Sequence, residues 1–234
     1  MKLIMVIILN LFAFLTIKLR PKLFNAKLFK PMIWNFKLSI LPAIILLVDL
    51  AIFLAFRAIF GMRGNIFLDI ISVIVLIIGF MLWLLVLPNS SYLITELNLT
   101  HRSQDEVEVP LWYDIVSVMA FALSGILNTV ININIIQYTY IIALDPDVIR
   151  AQDKLFFYVS AIIINILISV GVYLGRYIRF NSWDVLKPIS FIKMILSHFK
   201  EKGMIKNFIL FVLFHSLFFI IIYFLFNADS ILFR

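Results

Sequence analysis

Apolar residues in this chain come in long runs separated by short polar stretches, with no strict alternation. A helix needs roughly 17–25 such residues to cross hydrocarbon. Six runs approach or reach that length and predict helical spans over 3–17, 38–60, 66–87, 113–140, 155–175 and 207–226. The first is short for a span. The fourth lies in a longer run, Leu111 to Leu144, and is expected to tilt or protrude. The stretch 190–202 has a different period. Ile192, Ile195, Leu196 and Phe199 fall on one helical face, while Lys193, Ser197, Lys200 and Glu201 fall on the other. This predicts an amphipathic helix in the headgroup region, capped by Ser190 and ended by Gly203. A plain tether between spans is the competing reading.

Composition turns these runs into a fold class. Of 234 residues, 64% are hydrophobic and 14% charged, with a mean hydropathy of +1.09. Soluble domains run about 45–50% apolar and about 25% charged, and no soluble interior of this size could enclose the surplus. The expectation is an all-α polytopic transmembrane bundle of about six spans, forming a single membrane domain over 1–234. With no cysteine, disulfides and thiol catalysis are excluded. The first run follows Lys2, as a signal peptide would. A small-residue cleavage site should then follow, whereas the chain continues Lys18-Leu19-Arg20-Pro21. An uncleaved anchor is expected.

Charge adds an orientation. The net charge of +7 would suit nucleic acid in a soluble protein. In one this apolar it points to anionic headgroups, and no nucleic-acid partner is expected. Segment 18–37 carries Lys18, Arg20, Lys22, Lys27, Lys30 and Lys37; segment 176–206 carries Arg176, Arg179, Lys187, Lys193, Lys200, Lys202 and Lys206. Six single passes put both on one side, together with 88–110. By the positive-inside rule that side is cytoplasmic in a cell membrane, and both termini lie outside. Segment 88–110 fits less well, with Arg102 against Glu96, Asp105, Glu106 and Glu108. In 18–37 the cations alternate with Phe24, Phe29, Trp34 and Phe36, as in an interfacial segment. Expected partners are membrane lipids, with anionic headgroups on the basic face, and a membrane protein partner.

Polar residues inside the runs are costly in hydrocarbon and need a partner or a purpose. Asp49 lies within the second run; Asn128 and Asn132, four apart on one face, lie within the fourth. They read either as a track for a proton, ion or headgroup, or as interhelical hydrogen bonding worth roughly 0.6 kcal/mol per bond. A second concentration lies at the ends of the spans. Parity brings the end of the third, the start of the fourth and the end of the fifth onto one face. Asn89, Tyr92, Glu96, Trp112, Asp114, Arg176, Arg179, Asn181, Trp183 and Asp184 therefore form a candidate interface cluster. Arg176 and Arg179 have the spacing for a fork around phosphate or carboxylate. Glu96, Asp114 and Asp184 are candidates to pair with them, bind a cation or act as acid and base. Interfacial anchoring and a structural ion-paired knot are the competing readings.

Three strings within that cluster carry a resemblance. They are Pro88-Asn89 through Glu96, Pro110-Leu111-Trp112-Tyr113-Asp114, and Tyr173-Leu174-Gly175-Arg176 with Asn181-Ser182-Trp183-Asp184. Occurring in order, they resemble the signature blocks of a bacterial family of polytopic membrane proteins of unknown function, over roughly residues 66–190. Glu96 stands where that pattern often has aspartate, and His101 is displaced from the usual histidine. The resemblance implies a bacterial membrane location and no established activity. No H-E-x-x-H, G-x-S-x-G or P-loop occurs, and the three histidines lack zinc-ligand spacing. No cofactor and no metal are expected. The leading function is a non-enzymatic small transporter or accessory membrane subunit. The alternatives are an enzyme or binder acting on a lipid-linked or anionic headgroup, and a purely structural membrane protein.

Overall fold

The computed structural model describes residues 1–60, 66–98, 109–144, 151–178 and 188–228, which form helices joined by short turns, with no strand among them. The elements are α1 (Lys2–Phe24), α2 (Lys30–Phe60), α3 (Ile66–Val86), α4 (Pro88–Ser91, continued by a 3₁₀ segment Tyr92–Asn98), α5 (Leu111–Leu144), α6 (Ala151–Tyr173, closed by a π turn Leu174–Ile178), α7 (Pro188–Lys200) and α8 (Met204–Asn227). Six segments are long and apolar enough to cross a membrane: Lys2–Phe24, Lys30–Phe56, Ile70–Leu97, Leu111–Ile141, Lys154–Ile178 and Met204–Asn227. The protein is an all-helical multi-pass membrane protein.

Three boundaries differ from the hydropathy reading. Helix α1 continues past Ile17 through Lys18, Arg20 and Pro21. The two cations are accommodated: Lys18 lies over the Phe14 ring at 5.6 Å, and Arg20 is ion-paired. The helix stops at Asn25, whose φ of 54° is a left-handed cap that asparagine tolerates. Helix α2 starts at Lys30, because Met32 and Phe36 in its first turns are buried. Helix α7 starts at Pro188, a residue suited to a first helical turn, so Ser190 lies inside it. Gly203 takes φ 89° in the turn leading into α8.

The chain forms two compact units, Met1–Thr139 and Tyr140–Arg234. In the first, α2 presents a continuous buried seam: Met32, Phe36, Ser39, Leu46, Asp49 and Phe53. That repeat of about 3.5 residues keeps one stripe turned inward from Met32 to Phe53, with α3 and the segment Pro88–Asn98 packed on the helix. Helices α1 and α5 run antiparallel, with an apolar core of Ala13, Ile17, Met32, Phe36, Leu93, Val118 and Phe121. The Phe36 and Phe121 rings stack at 5.7 Å. Helix α5 is the enclosed element: 67% of its most apolar stretch is buried, against 17–39% for the other five spans.

The second unit is built on α6 and α8, which pack along each other. Tyr140, at the end of α5, stacks on Phe156 of α6 at 3.9 Å. Helix α7 is held to this pair by an aromatic cluster. The Tyr173 hydroxyl lies 2.9 Å from His198 Nε2, and Phe199 meets Phe208 edge-on at 5.2 Å.

Candidate functional site: a buried polar network in the first unit

The helices of the first unit are joined by polar side chains, beginning at the end of α1. Arg20 Nε donates to Asp114 Oδ1 at 2.8 Å and Nη2 donates to Oδ2 at 3.3 Å, a two-point clamp with both residues buried. One turn deeper, the Tyr113 hydroxyl donates to the Thr16 carbonyl at 2.7 Å and Ser117 Oγ donates to Thr16 Oγ1 at 2.9 Å. Deeper still, Asn10 and Asn128 exchange amide hydrogen bonds of 2.8 and 3.0 Å. The pairs 20/114, 16/117 and 10/128 set the antiparallel register of α1 on α5.

From Asn128 the network crosses to α2 and α4. Asn128 Nδ2 donates to Ser39 Oγ at 3.0 Å; Ser39 Oγ donates to the Ser90 carbonyl at 2.9 Å, and Ser90 Oγ donates back to the Ser39 carbonyl at 3.1 Å. Asn132 Nδ2 donates to Ser90 Oγ at 3.3 Å, and its Oδ1 accepts from Trp83 Nε1 at 2.9 Å. Five helices thus meet through one connected set of side chains. Gly125 makes the approach possible. A Cβ there would stand 2.7 Å from the Ser90 carbonyl and 2.8 Å from Leu93 Cβ, so only glycine lets α4 lie this close to α5. Each neutral bond contributes roughly 0.6 kcal/mol in a bilayer. The network's main effect is therefore to specify helix register, and the buried ion pair is its one energetically large element.

Asp49 behaves differently. It is 6% exposed and has no hydrogen-bond or ion-pair partner among the described residues. Its carboxyl lies against the backbone of Gly79, where an added Cβ would overlap it. Gly79 and Trp83 are four apart on α3 and share a face, so Asp49 sits about one helical turn beyond the tryptophan end of the network.

The residues read from sequence fall in several places. Asn128 and Asn132 are buried in the network just described. Asp114 is fully buried against Arg20, and buried Glu96 accepts from Asn35 Nδ2 at 2.9 Å. Asn89 and Tyr92 are half-buried. Trp112 is 64% exposed and Trp34, at the start of α2, is 62% exposed, which suits an interfacial belt. Arg176 is exposed on the π turn of the second unit, and Arg179, Asn181, Trp183 and Asp184 lie outside the described residues. Arg20, Asn10, Thr16, Ser39, Ser90 and Ser117 complete the site without having been singled out by sequence. For Arg20 a signal existed: parity places the end of the first span and the start of the fourth on one face. Among the described residues no three His, Asp or Glu side chains are grouped to hold a metal.

Comparison with known proteins adds a family. Residues 34–222 match a family model described as "Protein of unknown function (DUF1361)". No curated protein and no solved structure matches the chain significantly.

Proposed function

We propose, from the premise that this chain belongs to the family of unknown function DUF1361, that it is a non-enzymatic small transporter that moves a proton or small cation through its first unit. The observation that carries the reading is Asp49. A carboxyl in hydrocarbon is retained where it has a partner or a task, and this one has no partner among the described residues. The network from Trp83 to Asn10 and Ser39 supplies polar atoms that start about one turn away. A headgroup enzyme at the membrane face draws less support, since Asp114 and Glu96 are both buried and engaged.

The test is ion flux into proteoliposomes under an imposed potential, followed with an internal pH dye. Wild-type protein is expected to conduct above protein-free vesicles. Asp49→Asn is expected to lose about a hundredfold or more, the lower end of the range for a side chain positioned for proton transfer, while keeping the wild-type melting temperature. Gly79→Ala, which displaces the carboxyl, should reduce flux in the same direction. Absence of wild-type flux, or equal flux from Asp49→Asn, overturns the reading.

The same proposal includes an orientation, with segments 18–37 and 176–206 on the cytoplasmic side of the cell membrane. The native chain has no cysteine, so Lys30→Cys supplies a unique reporter. It is expected to resist a membrane-impermeant maleimide in intact cells and to react after permeabilisation. Labelling in intact cells reverses the orientation.

A further inference from the structure

Helix α7 divides its surface into three stripes. Phe191, Met194, Ile195, His198 and Phe199 recur at i, i+3, i+4, i+7 and i+8 and are half-buried, with His198 and Phe199 in the aromatic cluster. The apolar face expected from sequence is thus split. Ile195 and Phe199 turn inward, while Ile192 and Leu196 join Ile189 on an outer stripe that is 54–73% exposed. Beside that stripe runs a polar one, Ser190, Lys193, Ser197 and Lys200, all exposed. Such a helix is docked by one edge and leaves an apolar edge and a cationic edge side by side. That pairing fits the boundary between acyl chains and headgroups.

The corner between α7 and α8 sharpens this. A groove of about 610 Å³ lies there, lined by Lys200, Lys202 and Lys206 together with Phe199 and Ile209. Glu201 is the one acid among its lining residues, so the groove remains net cationic. The turn is set by Gly203, whose φ of 89° suits glycine. Running on from the groove, Ile205, Ile209 and Leu213 form an exposed apolar stripe along the spanning helix α8.

We propose that this corner is a binding site for an anionic phospholipid. Lys200, Lys202 and Lys206 take the phosphate, and an acyl chain lies along Ile205, Ile209 and Leu213. The occupant is lipid rather than free phosphate because the cationic groove opens directly onto an apolar stripe that a soluble anion would leave uncovered. The corner belongs to the second unit and Asp49 to the first, and the proposal does not depend on the transport reading.

Native mass spectrometry of the full chain, released from nanodiscs of equal phosphatidylcholine and phosphatidylglycerol, tests it. Wild-type protein is expected to retain phosphatidylglycerol preferentially. Each lysine near a membrane surface contributes about fivefold to anionic-lipid affinity, so Lys200→Gln, Lys202→Gln and Lys206→Gln together should lower retention on the order of a hundredfold. The corresponding triple arginine variant should retain it. The three lysines are exposed, and a melting curve for each variant separates lost binding from lost fold. Added inorganic phosphate should displace little of the lipid. Equal retention of the two lipids, undiminished retention by a folded glutamine variant, or full displacement by inorganic phosphate each overturns the proposal.

Discussion

Arg20→Ala is expected to destabilise the protein by about 3–5 kcal/mol, the range for removing one partner of a buried ion pair. Arg20 and Asp114 are 5% and 0% exposed, and the guanidinium clamps both carboxylate oxygens. Taking away the cation leaves the carboxylate in a medium too weakly polarisable to replace it. The pair also forms the outer end of the α1–α5 register, so its loss should loosen the Tyr113 and Ser117 contacts to Thr16. Arg20→Met combined with Asp114→Leu is expected to recover most of the loss, because neither partner then leaves a charge behind. Thermal unfolding in detergent measures both. A single variant that melts like wild type would show that α1 is not fastened to α5 through this pair. A double variant as unstable as the single ones would assign the loss to shape rather than charge.

The six spans and α7 were legible because length and period are properties of the sequence itself. Apolar runs near a bilayer's thickness have few alternative folds, and an amphipathic period survives without a known partner. Boundaries were less legible. A hydropathy reading stops at Lys18 and begins again at 38, whereas α1 runs to Phe24 and α2 starts at Lys30. Charged residues stay helical there because particular neighbours receive them, and a hydropathy sum contains no neighbours. The site divides in the same way. Asp49, Asn128 and Asn132 stood out as polar residues in apolar surroundings. Arg20 read as a topology charge, although parity already placed it on the face of Asp114. Ser39, Ser90, Gly79 and Gly125 carry no comparable mark, since small residues in a span are ordinary until a second helix is laid against them. The outer stripe of α7 shows the same effect. Sequence defines one apolar face, and only the aromatic cluster on α6 and α8 decides which part of it turns inward.

Gly125→Ala is the second large effect, expected to cost about 3 kcal/mol, the upper end of the usual cost of overpacking a filled interior. Most glycine-to-alanine changes in a helix stabilise it through propensity, so the expected sign is opposite to the general rule. The reason is what the new methyl meets. At 2.7 Å stands the backbone carbonyl of Ser90, and at 2.8 Å stands Leu93 Cβ. Neither can be moved by a side-chain rotation, so the segment 88–98 has to shift as a body. That shift strains the reciprocal Ser39–Ser90 bonds, the Asn132 bond to Ser90 and the Asn35 bond to Glu96 together. Melting in detergent should therefore fall. The signal of a fluorine-labelled Trp83, whose Nε1 donates to Asn132, should move with it. If Gly125→Ala melts at or above the wild-type temperature with Trp83 unchanged, α4 does not lie against α5 as described, and the network that depends on that approach has to be redrawn.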